Sequence, residues 1–132
     1  MQSRPHPFLI IGSLFGGLAV LFGAFGAHIL ESQIASGMLE TFSTGVHYQM
    51  FHALALLAIA AFGSQGKNRR LHIAGWAFIL GIILFSGSLF ILVLSGIRWF
   101  GMITPFGGVA FLIGWGTLTA EGLRRNTNQG SA

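Results

Sequence analysis

Five histidines, three glutamates and a scatter of amide and hydroxyl groups are the side chains of this 132-residue sequence that could do acid–base or ligand chemistry. His28 stands one helical turn before Glu31. Tyr48, Gln49 and His52 fall within five positions, and Ser86, Ser88 and Thr104-Pro105 lie downstream. An imidazole among amide, phenol and hydroxyl groups is the material of a proton relay or a small-ligand site. Two histidines meeting at one height would suit a haem, and His28 with Glu31 and Glu40 would suit a metal ion. No HExxH or other spaced ligand set supports the metal reading, and no Ser-His-Asp order or phosphate-binding glycine loop is present. The expected catalytic residues, metal ligands and cofactors are therefore none. With no cysteine, disulfides, iron–sulfur clusters, thiolate metal sites and a lipoprotein anchor are excluded.

The elements that must position these groups can be read from composition. Apolar residues make up 53% of the chain and charged residues 8%, against roughly 25% charged in a soluble domain. So few charges cannot coat a water-soluble globule, and the mean hydropathy of +0.75 agrees. Four uncharged blocks, 5–30, 41–66, 71–97 and 99–120, are each long enough to cross ~30 Å of hydrocarbon as a helix of about 20 residues. None shows the alternation of a membrane β-strand. The first apolar run is 20 residues long, beyond the ~7–15 of a signal peptide, and reads as an uncleaved span. The expected fold is all-α: a single four-span domain over 1–132, an integral membrane four-helix bundle with approximate spans 8–30, 44–63, 71–96 and 104–120.

Basic residues set the orientation. With four spans, one side carries Arg4, Lys67, Arg69, Arg70, Arg124 and Arg125 against Glu121, and the other carries Glu31, Glu40 and Arg98. The basic side is expected in the cytoplasm, with both termini. Split among three short segments, these cations do not suggest nucleic-acid binding.

At ~1.5 Å per residue, His52 comes about 17 Å above the cytoplasmic boundary, Gln49 about 21 Å, Ser86 and Ser88 about 22–25 Å, Thr104 about 24 Å and His28 about 30 Å. The gap between His28 and His52 is too wide for two axial ligands of one haem. Tyr48, Gln49 and His52 share one helical face, 100° apart per residue, and are expected to turn toward one neighbour. A neutral His52 needs a partner for each ring nitrogen, with Tyr48, Gln49, Ser86 and Ser88 as the nearest candidates. The alternative to a relay or ligand site is a layer of interhelical hydrogen bonds, and this plainer reading is favoured. His6 and His72 read as interfacial, Trp76 and Trp115 as interfacial anchors, and Thr104-Pro105 as a helix N-cap and its first helical residue. Ile34, Met38 and Phe42, at helical spacing, suggest a short interfacial helix in the first outer loop.

Small residues recur at heptad-like steps: Gly12, Gly16, Ala19, Gly23 and Gly26; Ala53 and Ala60; Ala74, Gly81, Ser88 and Ser95; Gly107, Ala110, Gly114 and Thr117. Lipid gives helices no hydrophobic reason to associate, so close backbone approach over small side chains must supply the packing. Leucine at Gly23 is accordingly expected to overpack a neighbour.

Five ordered motifs are familiar: 23–28 (GAFGAH), 48–52 (YQMFH), 85–89 (FSGSL), 104–108 (TPFGG) and 111–115 (FLIGW). Together they resemble the YgdD/YwdK-like family of small bacterial membrane proteins, nearly from Phe8 to Ala120. The resemblance implies four spans in the inner membrane and brings no activity. His47 departs from the family pattern, which argues against a family-wide role for it.

The composite expectation is a multi-pass inner-membrane protein in the lipid bilayer. It would be non-enzymatic and act as a partner or accessory subunit of another membrane protein, or as a homo-oligomer. The alternative is a small-ligand or proton-conducting protein with a polar site around His52 and Gln49. The polar-layer residues are His28, Tyr48, Gln49, His52, Ser86, Ser88 and Thr104.

Overall fold

A computed structural model describes residues 6–63 and 66–130, and among them every regular element is helical. Helix α1 spans Pro7–His28, α2 Ser36–Gly63, α3 Arg69–Gly81, α4 Gly87–Ser95 and α5 Thr104–Gly130. A π-helical turn, Ile82–Ser86, joins α3 to α4 into one continuous third span, and short 3-10 turns cover Leu30–Ser32 and Arg98–Met102. Each of the four helical runs is long and apolar enough to cross a membrane. Arg4, counted among the basic residues above, lies outside the described residues.

Ends are set by local chemistry. His6 caps α1, its Nδ1 accepting from the Phe8 N–H at 3.4 Å, and Pro7 occupies a first-turn position where no N–H is needed. Asn68 caps α3 through Oδ1, which accepts from the N–H groups of Arg70 and Leu71. Gly96, at φ 71°, ends α4 in the left-handed conformation that glycine adopts without steric cost. The expected separate helix around Ile34–Phe42 does not form. Met38 and Phe42 belong instead to the opening turns of α2, whose 28 residues span about 42 Å and overrun the hydrocarbon.

The chain folds as two antiparallel hairpins, α1 with α2 and the third span with α5. Phenylalanine rings seated on glycines hold them together. Phe8 of α1 lies over Gly75 of α3. Phe111 of α5 lies over Gly81 of α3, and Phe78 of α3 lies over Gly114 of α5 in return. Phe90 of α4 covers Gly45 of α2, where an added Cβ would come within 2.7 Å of the ring. Gly107 goes further and meets the Phe85 backbone itself. At Gly12 of α1 an added Cβ would come within 3.0 Å of the Ala53 carbonyl and the Leu56 side chain, a close but milder approach. Gly23 is looser than expected. A Cβ there would sit 3.5 Å from Val46, an ordinary contact beside an open groove, so the tight points lie elsewhere on the seams.

Two apolar clusters result. One, around Phe8, Leu56, Ile59, Phe78, Ile82 and Phe111, fills the half nearer the start of α3. The other, around Ala19, Leu30, Phe42, Val46 and Val93, fills the opposite half. The ring of His6 stands 6.1 Å from that of His72, and Asn68 contacts Glu121. The start of α1, the start of α3 and the later turns of α5 therefore share one end of the bundle, which carries Lys67, Arg69, Arg70, Arg124 and Arg125.

Candidate functional site

Between the two clusters lie the buried polar side chains Gln49, His52, Ser86 and Ser88, each no more than 4% exposed. They do not converge. Gln49 donates from Nε2 to the Phe15 carbonyl of α1 at 2.9 Å. Ser86 donates to the Gly45 carbonyl of α2 at 2.6 Å. Ser88 Oγ lies 2.9 Å from the Phe85 carbonyl and 2.7 Å from Thr104 Oγ1 of α5. A serine has one hydroxyl proton, so when Ser88 gives it to the carbonyl, Thr104 must be the donor to Ser88.

His52 makes the fourth connection. Its Nε2 accepts from the indole N–H of Trp115 at 3.0 Å. Its Nδ1 lies 2.6 Å from the Tyr48 carbonyl, an acceptor only, so the proton of the neutral ring sits on Nδ1. Phe111 stacks on the imidazole, centroids 3.5 Å apart and planes 9° from parallel, and Phe78 flanks it at 5.2 Å. Each polar side chain thus ties a different helix pair: α2 to α1, the third span to α2, α2 to α5, and α4 to α5. Three of the four ties involve α2.

Three expectations need correction. Tyr48, Gln49 and His52 do not turn toward one neighbour. Gln49 faces α1, His52 faces α5, and the half-exposed Tyr48 ring stacks on Phe85 of the third span at 4.5 Å. Trp115 is not simply an interfacial anchor, since its N–H is the side-chain partner of His52. Thr104 does begin α5, but its hydroxyl is engaged by Ser88. His28 is exposed at the far end of α1, and no set of three metal-ligating side chains converges among the described residues. The π-helical turn that ends at Ser86 has no signature in the sequence. Such turns carry one residue more than an α-turn and shift the register of the helix beyond them. Ser95, expected on the Ala74–Gly81–Ser88 seam, is exposed and returns its hydroxyl to the Ile91 carbonyl.

A second polar group, unforeseen in the sequence, lies at the basic end. Glu121 is 3% exposed. Its carboxylate accepts from Asn68 Nδ2 at 2.7 Å, from Arg124 through Nε and Nη2 at 3.1 and 2.9 Å, and from Arg125 Nε at 2.8 Å. Arg70 stands 3.7 Å away. Asn68 therefore caps α3 with its oxygen while clamping α5 with its nitrogen. The signal was the lone acidic residue among six cations, but its asparagine partner is 53 positions away.

Comparison with known proteins agrees with this architecture. Residues 22–108 match the family described as Protein of unknown function (DUF423). The UPF0382 membrane protein SAB0533 of Staphylococcus aureus is 48% identical over 82% of this chain and 88% of its own length. The UPF0382 membrane protein YwdK of Bacillus subtilis is 47% identical over 82% and 89%. The UPF0382 inner membrane protein YgdD of Escherichia coli is 39% identical over 88% of each chain. No solved structure matches. The chain belongs to the DUF423 family, and it is a membrane protein with four helices fit to span the bilayer.

Proposed function

We propose that this inner-membrane protein is non-enzymatic and serves as a partner or accessory subunit of another membrane protein, with its basic end and both termini in the cytoplasm. The observation that carries this reading is the saturation of the polar layer. No buried side-chain nitrogen or oxygen among the described residues lacks a hydrogen-bond partner. A relay must pass a proton on, yet the His52 proton is given to a backbone carbonyl and its acceptor nitrogen faces an indole that holds its hydrogen. The layer therefore works as helix-to-helix bonding, each bond contributing about 0.6 kcal/mol on average. What such a bundle offers to others is its surface. The orientation rests on the positive-inside rule applied to the clustered cations.

Two measurements test it. Tagged protein purified in mild detergent is expected to carry a membrane-protein partner in fixed stoichiometry, and the same preparation is expected to hold no quinone or other small organic ligand at the polar layer. Reconstituted in liposomes enclosing a pH dye, the protein is expected to pass protons no faster than empty liposomes. A flux abolished by His52→Phe would establish the conducting alternative instead.

A further inference from the structure

At the basic end, residues of α2 and α5 line a groove of about 310 Å³. Its walls are Ile59 and Phe62 of α2 and Leu118 and Gly122 of α5, with Leu71 of α3 behind them. Glu121 and Arg125 complete the lining on the α5 side, so an apolar slot ends at a cation. We propose that this groove seats an acyl chain of one anionic phospholipid, with the lipid phosphate held by Arg125.

The chemistry of Arg125 supports the assignment. It reaches Glu121 through Nε alone, and neither terminal nitrogen has a partner among the described residues. Arg124, by contrast, spends both Nε and Nη2 on the same carboxylate. Glu121 thereby fixes the Arg125 guanidinium and leaves its two terminal amino groups for a second anion, the pairing that a phosphate accepts in fork geometry. Lys67, Arg69 and Arg70 stand on the other side of Glu121, around an adjoining polar recess, and add a local positive field. The slot is open in front of Gly122, where an added Cβ meets nothing within 4 Å. The site does not depend on the partner role proposed above, since it uses neither His52 nor any protein contact.

The test is native mass spectrometry of the full-length protein in detergent, doped with phosphatidylglycerol or phosphatidylcholine of identical acyl chains. Both lipids carry the phosphate, but choline brings a cation beside Arg125 that cancels its charge, so wild type is expected to retain phosphatidylglycerol about tenfold better. Arg125→Gln should remove that preference, Arg125→Lys should restore part of it, and Gly122→Leu should weaken retention of both lipids by filling the slot. Lys67→Gln, which leaves the groove intact, should keep the preference. Circular dichroism confirms that each variant is folded before it is scored. Equal retention of the two lipids by wild type would overturn the proposal. So would an equal loss of preference in Lys67→Gln and Arg125→Gln, the mark of a diffuse charge effect.

Discussion

Alanine at Gly107 is expected to weaken the bundle, although alanine is the better helix former by about 1 kcal/mol. The added Cβ would lie 2.7 Å from Phe85 Cβ and 2.8 Å from Phe85 Cα, well inside van der Waals contact. Its obstacle includes main chain, so no rotamer change can relieve it. The third span and α5 must part by about half an ångström or more, and overpacking of this kind costs about 1–3 kcal/mol. Parting these helices also strains the Ser88–Thr104 hydrogen bond, 2.7 Å long and three residues before Gly107 on α5. Because main chain is the obstacle, the overpacking cost should fall in the upper half of that range, about 2–3 kcal/mol, which leaves a net loss near 1–2 kcal/mol once propensity is offset. Reversible unfolding in mixed micelles with increasing dodecyl sulfate measures it. Gly17→Ala is the control: a Cβ at Gly17 meets nothing within 4 Å, so this variant should keep wild-type stability or gain up to about 1 kcal/mol from helix propensity. Equal stability of Gly107→Ala and wild type, or equal losses in both variants, would refute the ring-on-glycine packing.

His52→Phe and Trp115→Phe should each destabilise, and a double-mutant cycle between them should give a coupling of about 0.6–1.7 kcal/mol; an additive pair would mean the tie contributes nothing. Gln49→Leu should cost about 0.6 kcal/mol, loosening α1 alone, which cysteine-accessibility at α1 positions would register. Glu121→Gln should lower the melting temperature in detergent and Asn68→Ala should do likewise, since both halves of the α3–α5 clamp depend on that carboxylate. In this cysteine-free chain, Ser36→Cys should be labelled by an impermeant thiol reagent from outside the cell and Gln129→Cys only after the membrane is opened; the reverse would overturn the orientation.

The four spans were legible because charge is so costly in hydrocarbon that its absence marks each crossing. The small-residue steps were legible too, and Gly12, Gly81, Gly107 and Gly114 do face neighbours. Their partners were not, because any of thirteen phenylalanines could fill a notch. The heights of Gln49, His52, Ser86 and Ser88 could be counted along the helices, but their acceptors could not. Phe15, Gly45 and Tyr48 accept through backbone carbonyls, which every residue possesses and no side-chain pattern reveals. The role of Trp115 is not legible either, because a tryptophan near a span end has a simpler interfacial explanation. In the sequence Glu121 is one negative charge among six cations, whereas its role depends on the packing of α3 against α5 bringing Asn68 to it.

The ring nitrogens of His52 test the central claim most directly. Nitrogen-15 NMR of histidine-labelled protein in lipid bilayers at pH 7 distinguishes a protonated from an acceptor nitrogen by chemical shift, and His52→Phe identifies the signal. A single neutral form is expected, with hydrogen on Nδ1 and Nε2 accepting, and the Nε2 shift should move in Trp115→Phe. Hydrogen on Nε2, or exchange between the two tautomers, would contradict a polar layer devoted to holding helices together.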